Sequence, residues 1–100
     1  MWQVKIHSLV LEEDFRKINH HDQALILKTI YKKLSLSPQE YGEKLKYGLK
    51  GYWKLKISHY RVIYRIENDK ILVLVLKIDL RRDQEVYREM LSHLNRPQSI

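Results

Sequence analysis

Gly51-Tyr52-Trp53-Lys54-Leu55-Lys56-Ile57, Ser58-His59, Tyr60-Arg61-Val62-Ile63-Tyr64-Arg65-Ile66-Glu67, Asn68-Asp69 and Lys70-Ile71-Leu72-Val73-Leu74-Val75-Leu76-Lys77-Ile78 form the stretch that decides the fold. Its first segment alternates, so Trp53, Leu55 and Ile57 share one face of a strand and Lys54 and Lys56 the other. Its last segment is apolar without a break from Ile71 to Leu76, the pattern of a strand covered on both faces. Ser58-His59 and Asn68-Asp69 have the length and polarity of hairpin loops. Connections this short forbid crossovers, so the three strands are expected to form an antiparallel meander.

With Ser58-His59 as a two-residue loop, Ile57 faces Tyr60, Lys56 faces Arg61 and Leu55 faces Val62. Lys54, Lys56 and Arg61 then emerge on one side of the sheet with no carboxylate among them. Like charges directly opposite each other destabilise a sheet. A lone strand lysine needs no explanation, because its stem can lie along the surface with its head in water. Convergent cations instead suggest a site for an anion.

Working outward, the leading residues Trp2 to His7 alternate as an edge-type strand with Trp2, Val4 and Ile6 on one face. From Leu9 the period changes to helical, with Leu11, Phe15 and Ile18 inward and Glu12, Glu13 and Asp14 suited to a first turn. After Asn19-His20-His21, Asp22 is the expected N-cap of a second helix running to about Leu36, with Leu27, Ile30, Tyr31 and Leu34 as its apolar face. The two helices should form a hairpin, ended by Ser37-Pro38. Gln39 to Lys50 connects it to the strands and carries Lys44, Lys46 and Lys50. Asp79 to Arg82 turns the chain, and Asp83 caps a third helix to about Leu94, leaving residues 95–100 as a frayed tail. The order is β-α-α-β-β-β-α: an α+β domain spanning residues 1–100, with one twisted, antiparallel-rich sheet and the helical hairpin on one face. Ile63, Leu74 and Leu76, on the other face, need cover from loops or the third helix.

The chain has 100 residues, 44% of them apolar, enough for one modest core. It has no cysteine, which excludes disulfides and thiolate metal sites and suits a reducing compartment. The N-terminal stretch lacks the apolar segment of a signal peptide, and no apolar run reaches membrane-spanning length, so a cytoplasmic protein without a membrane partner is expected. His20-His21 are adjacent rather than helically spaced and lack a carboxylate cluster, so neither a metal site nor a cofactor is expected. A formal charge of +7 points to an acidic partner.

Beyond the strands lies Asp79-Leu80-Arg81-Arg82-Asp83-Gln84-Glu85-Val86-Tyr87-Arg88. A turn there can aim an arginine back over the cationic face, and Tyr87 could stack on a base or pack beside Val86. Arg82 and Arg88 are expected in water or paired with Asp83 and Glu85.

The run Tyr52-Trp53-Lys54-Leu55-Lys56-Ile57, Tyr60-Arg61-Val62-Ile63-Tyr64 and Arg81-Arg82-Asp83-Gln84-Glu85-Val86-Tyr87 resembles the RelE/ParE toxin superfamily, and within it the RelE-type mRNA interferases. The likeness covers nearly the whole chain. Its Tyr-Arg-Val-Ile-Tyr motif belongs to the whole superfamily, whereas Lys54, Lys56, Arg61, Arg81 and Tyr87 together are the set that RelE enzymes use. Counting back from Glu85-Val86-Tyr87 favours Arg81 for the catalytic arginine, with the adjacent Arg82 as the alternative.

The resemblance implies the toxin of a type II toxin-antitoxin system, a metal-independent endoribonuclease that cuts mRNA in the ribosomal A site. In that reaction the 2′-OH attacks the adjacent phosphorus, leaving a 2′,3′-cyclic phosphate and a 5′-OH. The step needs a base, cations on the phosphoryl oxygens and help for the leaving oxygen. His59 is the nearest histidine and reads as a turn residue. Crowding among cations would make a neutral amine available, and Lys56 is the expected base. Lys54 and Arg61 would stabilise the transition state, Arg81 would assist the leaving group and Tyr87 would hold the nucleotide. Lys44, Lys46, Lys50 and Arg82 would contact RNA phosphates, joined by Lys28, Lys32 and Lys33. A ribosome would supply the in-line geometry that a small protein cannot impose.

The resemblance also implies an acidic, RelB-like antitoxin as partner, with a monomeric free toxin and a hetero-oligomeric complex. A ParE-like inhibitor of DNA gyrase, acting by protein binding without nuclease chemistry, is the rival reading. A non-enzymatic nucleic-acid-binding domain would explain the charge but not the focused placement of the cations.

Overall fold

β3 (Tyr52–Ile57) and β4 (Tyr60–Glu67) pair antiparallel as their alternation requires, with Lys56 opposite Arg61, Leu55 opposite Val62 and Ile57 opposite Tyr60. Ser58 has a φ of 55° and His59 does not share the left-handed region, the pattern of a type II′ turn, whose twist suits a two-residue hairpin. This computed structural model describes residues 1–45 and 51–79. The expected third helix and C-terminal tail lie outside the described residues.

β5 (Leu72–Asp79) continues the meander on the other side of β4. The loop before it is longer than the Asn68-Asp69 pair expected from sequence. Asn68–Lys70 form a 3₁₀ turn, and Ile71 closes it in the left-handed region with φ 48° and ψ 47°. Ile71 therefore leaves the apolar run and stands half exposed. One extra residue near Leu76 makes a bulge, since Ile63 pairs with Lys77 but Tyr64 with Val75.

β1 (Gln3–Ile6) is an edge strand as expected and runs parallel to β5. At the opposite edge, Glu43–Lys44 form a short β2 against β3, which no two-residue pattern in a sequence announces. The sheet order is β1-β5-β4-β3-β2, and the α+β architecture matches the sequence reading.

The first helical segment departs from regular geometry. Val10–Asp14 form a π-helical turn in which the Phe15 amide bonds to Val10, and Phe15–Lys17 tighten into a 3₁₀ turn. A wide turn followed by a narrow one rotates the inward face. Leu9, Val10, Asp14, Phe15 and Ile18 are buried, while Leu11, expected inside, is 49% exposed. Asp14 is thus a buried residue rather than a solvated first-turn acid.

The long helix α1 spans His20–Leu34, and its N-cap is Asn19, not Asp22. Asn19 Oδ1 accepts from the Asp22 amide at 2.8 Å. Asp22 lies inside the first turn, where its Oδ2 accepts the Tyr60 hydroxyl at 2.7 Å. This bond, then burial, then the carboxylate's charge, raise the Tyr60 pKa. The buried stripe is Ile26, Ile30 and Leu34 with Leu27 at its margin, whereas Tyr31, expected on that stripe, is 48% exposed. Pro38 does not simply end the helical hairpin: it occupies the first turn of a short helix α2, Pro38–Tyr41.

The main core lies between α1, the irregular turns and one sheet face. It joins Ile26, Ile30 and Leu34 to Leu55, Ile57, Tyr60, Val62, Tyr64, Val73, Val75 and Ile78. Tyr64 stacks on Trp53 at 6.4 Å, and its hydroxyl donates to the Pro38 carbonyl at 2.6 Å. Burial raises its pKa well above the ordinary tyrosine value. Gly42 permits this arrangement, because a Cβ there would stand 1.7 Å from the Tyr64 hydroxyl oxygen. On the other face Leu45 covers Ile63 and Leu76, flanked by Tyr52 and Leu74. The cover expected from loops is supplied in part by that residue.

Candidate functional site

The site face is set by strand parity. Tyr52, Lys54 and Lys56 of β3 and Arg61, Ile63, Arg65 and Glu67 of β4 project to the side opposite the main core. Lys56 is exposed and directly opposite Arg61, which is half buried; Lys54, also half buried, stands opposite Ile63. Leu45, Ile63 and Leu76 give these cations an apolar floor. A low-dielectric floor beneath charged groups strengthens their hold on an anion, because fewer waters screen them.

Two further register positions adjoin these cations. Glu43 on β2 lies opposite Lys54, and Asp79 at the end of β5 lies opposite Arg61. Neither was singled out in the sequence, because both depend on strand pairings outside the β3–β4 hairpin. Arg65 also shares this face and had not been included; its Nε is 3.3 Å from Glu67 Oε1. Its position two residues from Ile63 in a regular strand was the available signal.

Lys44 lies apart from these groups. Its register partner is Trp53, and its Nζ stands 5.6 Å from the Trp53 ring centroid, so it projects toward the core side of the sheet edge. Lys46, Lys50, Arg81, Arg82 and Tyr87 lie outside the described residues. The described residues therefore bring together Lys54, Lys56 and Arg61 of the expected set. His59 is exposed in the hairpin turn. Among the described residues no group of His, Cys, Asp or Glu could hold a metal ion, and no helix is long and apolar enough to cross a membrane.

A second polar cluster sits where β1 ends. Asp14 and Lys77 are both buried, with Lys77 Nζ 2.6 Å from Asp14 Oδ1. Asp14 Oδ2 accepts the Ile78 amide at 3.0 Å. Nearby, His7 is buried with its Nδ1 accepting from the Leu9 amide at 3.1 Å. Sequence periodicity offered no sign of this pairing, which spans 63 positions.

Chemically, cations gathered on one face suit an anionic ligand such as a phosphodiester, whose oxygens they would neutralise. Its amine heads are positioned by backbone register rather than by loops, which limits how far they can separate.

Comparison with known proteins is consistent with this geometry. Residues 5–85 match the family described as the ParE toxin of the type II toxin-antitoxin system parDE. The toxin RelG of Mycobacterium tuberculosis is 29% identical over 75 residues, covering 75% of this chain and 84% of RelG. The structure resembles the M. tuberculosis RelBE2 toxin-antitoxin complex with a TM-score of 0.74 and 25% identity, covering 80% of this chain and 98% of that one. It also resembles a mutant E. coli RelE toxin bound to a RelB antitoxin peptide, with a TM-score of 0.68 and 26% identity over 88% of this chain and 92% of that one.

Proposed function

The chain belongs to the ParE toxin family, within the RelE/ParE superfamily of type II toxin-antitoxin systems, and from that premise we propose that it is a ribosome-dependent endoribonuclease of the RelE kind. The observation that carries this reading is the placement of Lys54, Lys56 and Arg61 on one face of the sheet, with Lys56 directly opposite Arg61. A toxin acting by protein binding alone has no need to focus three cations where they could surround one phosphodiester.

In the proposed reaction the RNA 2′-oxygen attacks phosphorus and the bond to the 5′-oxygen breaks, giving a 2′,3′-cyclic phosphate and a 5′-OH. Lys56 takes the 2′-OH proton. Lys54 and Arg61 stabilise the charge growing on the non-bridging oxygens. Arg81, with Arg82 as the alternative at that position, stabilises the charge on the leaving 5′-oxygen, which takes its proton from water, and Tyr87 stacks on the nucleotide. Lys44, Lys46, Lys50 and Arg82 contact RNA phosphates outside the reacting one. The ribosome supplies the in-line alignment that so small a protein cannot impose, which alone can be worth several orders of magnitude.

The partner that restrains it is an acidic, RelB-like antitoxin, complementary to a chain of formal charge +7. The free toxin is a monomer and the restrained form a hetero-oligomer. The site of action is the cytoplasm.

The test is induced expression with mapping of mRNA 5′ ends, comparing wild type with Arg81→Ala and Tyr87→Ala. New 5′-OH ends within translated codons, lost in both variants, are expected. The family description names ParE, which favours gyrase inhibition as the second reading. DNA breaks dependent on gyrase, with messages intact, would establish that reading instead.

A further inference from the structure

Asp14 spends both of its carboxylate oxygens on adjacent residues of β5: Oδ1 on Lys77 Nζ at 2.6 Å and Oδ2 on the Ile78 amide at 3.0 Å. These contacts fall where β5 loses a strand partner. The parallel pairing with β1 runs to Ile6 opposite Val75, and the His7 amide makes one further bond to the Val75 carbonyl. Immediately afterwards comes the bulge at Leu76. A bulge bends its strand and reorients the side chains that follow, so the last residues of β5 need a second support.

On the other side, the same residues set the site. Val62 pairs with Ile78 and Arg61 with Asp79, and Leu80 and Arg81 follow directly in the sequence. The Asp14 carboxylate thus takes the place of a missing strand beside the residues that register Arg61.

Stability alone explains the pair poorly. A buried ion pair is often matched or surpassed in stability by apolar residues of the same volume. What an apolar pair cannot supply is direction: an acceptor aimed at one amide and one ammonium. We propose that Asp14 is a positioning residue, with Lys77 as its counter-charge, which holds the end of β5 in the register that places Arg61. The proposal rests on the nuclease reading above, since positioning is defined by that reaction.

The experiment measures single-turnover cleavage of a message on programmed ribosomes, normalised to the folded fraction by circular dichroism. It compares wild type with Asp14→Asn, Asp14→Glu and the apolar double variant Asp14→Leu/Lys77→Met. The double variant is expected to fold yet lose about 10–100-fold in kcat, with KM changed by less than about twofold. Asp14→Glu should recover part of the rate. Amide exchange should quicken at Ile78 and Arg61 while Ile30 keeps its wild-type rate. A folded double variant with wild-type kcat overturns the proposal, as does failure of every variant to fold, which would assign Asp14 to stability alone. Wild type that leaves programmed messages intact would instead sink the nuclease reading, and the positioning role with it.

Discussion

On the side of the sheet facing α1, Leu55, Ile57, Val62, Tyr64, Val73 and Val75 are sealed from water. The side bearing Lys54, Lys56, Arg61 and Arg65 buries Leu45, Ile63 and Leu76 among the described residues. Both faces are made by the same strands, one residue out of step. The first is organised by volume. The second accepts a like-charge pair, Lys56 opposite Arg61, that a purely structural sheet would avoid. Alternation therefore separates the work of folding from the work proposed for the cations, so substitutions on the two faces should have separable effects.

The widest separation is expected at Lys56. Lys56→Ala should reduce cleavage on programmed ribosomes by about 10²–10⁴-fold. Thermal unfolding should leave its stability within about 0.5 kcal/mol of wild type, or slightly above it once the repulsion with Arg61 is gone. Undiminished cleavage would remove Lys56 from the role of base. Ile30→Ala should do the reverse. Emptying a fully buried site should cost about 2–5 kcal/mol in urea titration, while the activity of each folded molecule stays near wild type.

Gly42→Ala probes the edge where the two faces meet. Its methyl would strike the Tyr64 hydroxyl and approach the Lys54 carbonyl, at 1.7 and 3.0 Å. A loss of about 1–3 kcal/mol is expected. Tyr64→Phe removes a single buried hydrogen bond and should cost about 1 kcal/mol at neutral pH. Because burial raises the Tyr64 pKa in the folded state, its neutral form supports folding below the unfolded value near 10.0. That support is lost as pH rises above this value, so alkaline unfolding should be shallower in Tyr64→Phe. An unchanged alkaline limb would show that the hydroxyl is not confined as described. The smallest effect lies away from both faces. Ile71→Asn should stabilise by up to about 1 kcal/mol in the same titration, since a β-branched residue is strained at positive φ.

The β3–β4 hairpin was legible because period and turn length are local properties. Once Ser58-His59 is a two-residue loop, Lys56 must face Arg61. Helix faces were read less well. Tyr31 and Leu11 are apolar enough to be assigned inward, but the buried stripe of α1 centres on Ile26, Ile30 and Leu34, and the π-helical turn carries Leu11 outward. Which face of each helix meets the sheet depends on contacts such as those of Asp14 with β5, which a periodic pattern does not contain.

The amino-acid order by itself determined the meander, the sign of the open face and the mutual approach of Lys54, Lys56 and Arg61, because alternation converts sequence spacing directly into direction. Tertiary structure alone decided that β1 lies parallel to β5, that Glu43 and Asp79 stand opposite two of those cations, and that Asp14 reaches Lys77 and Ile78. Those arrangements join residues far apart along the chain. They are selected by the need to give every buried amide and charge a partner, a condition satisfied by the whole fold and by no segment alone.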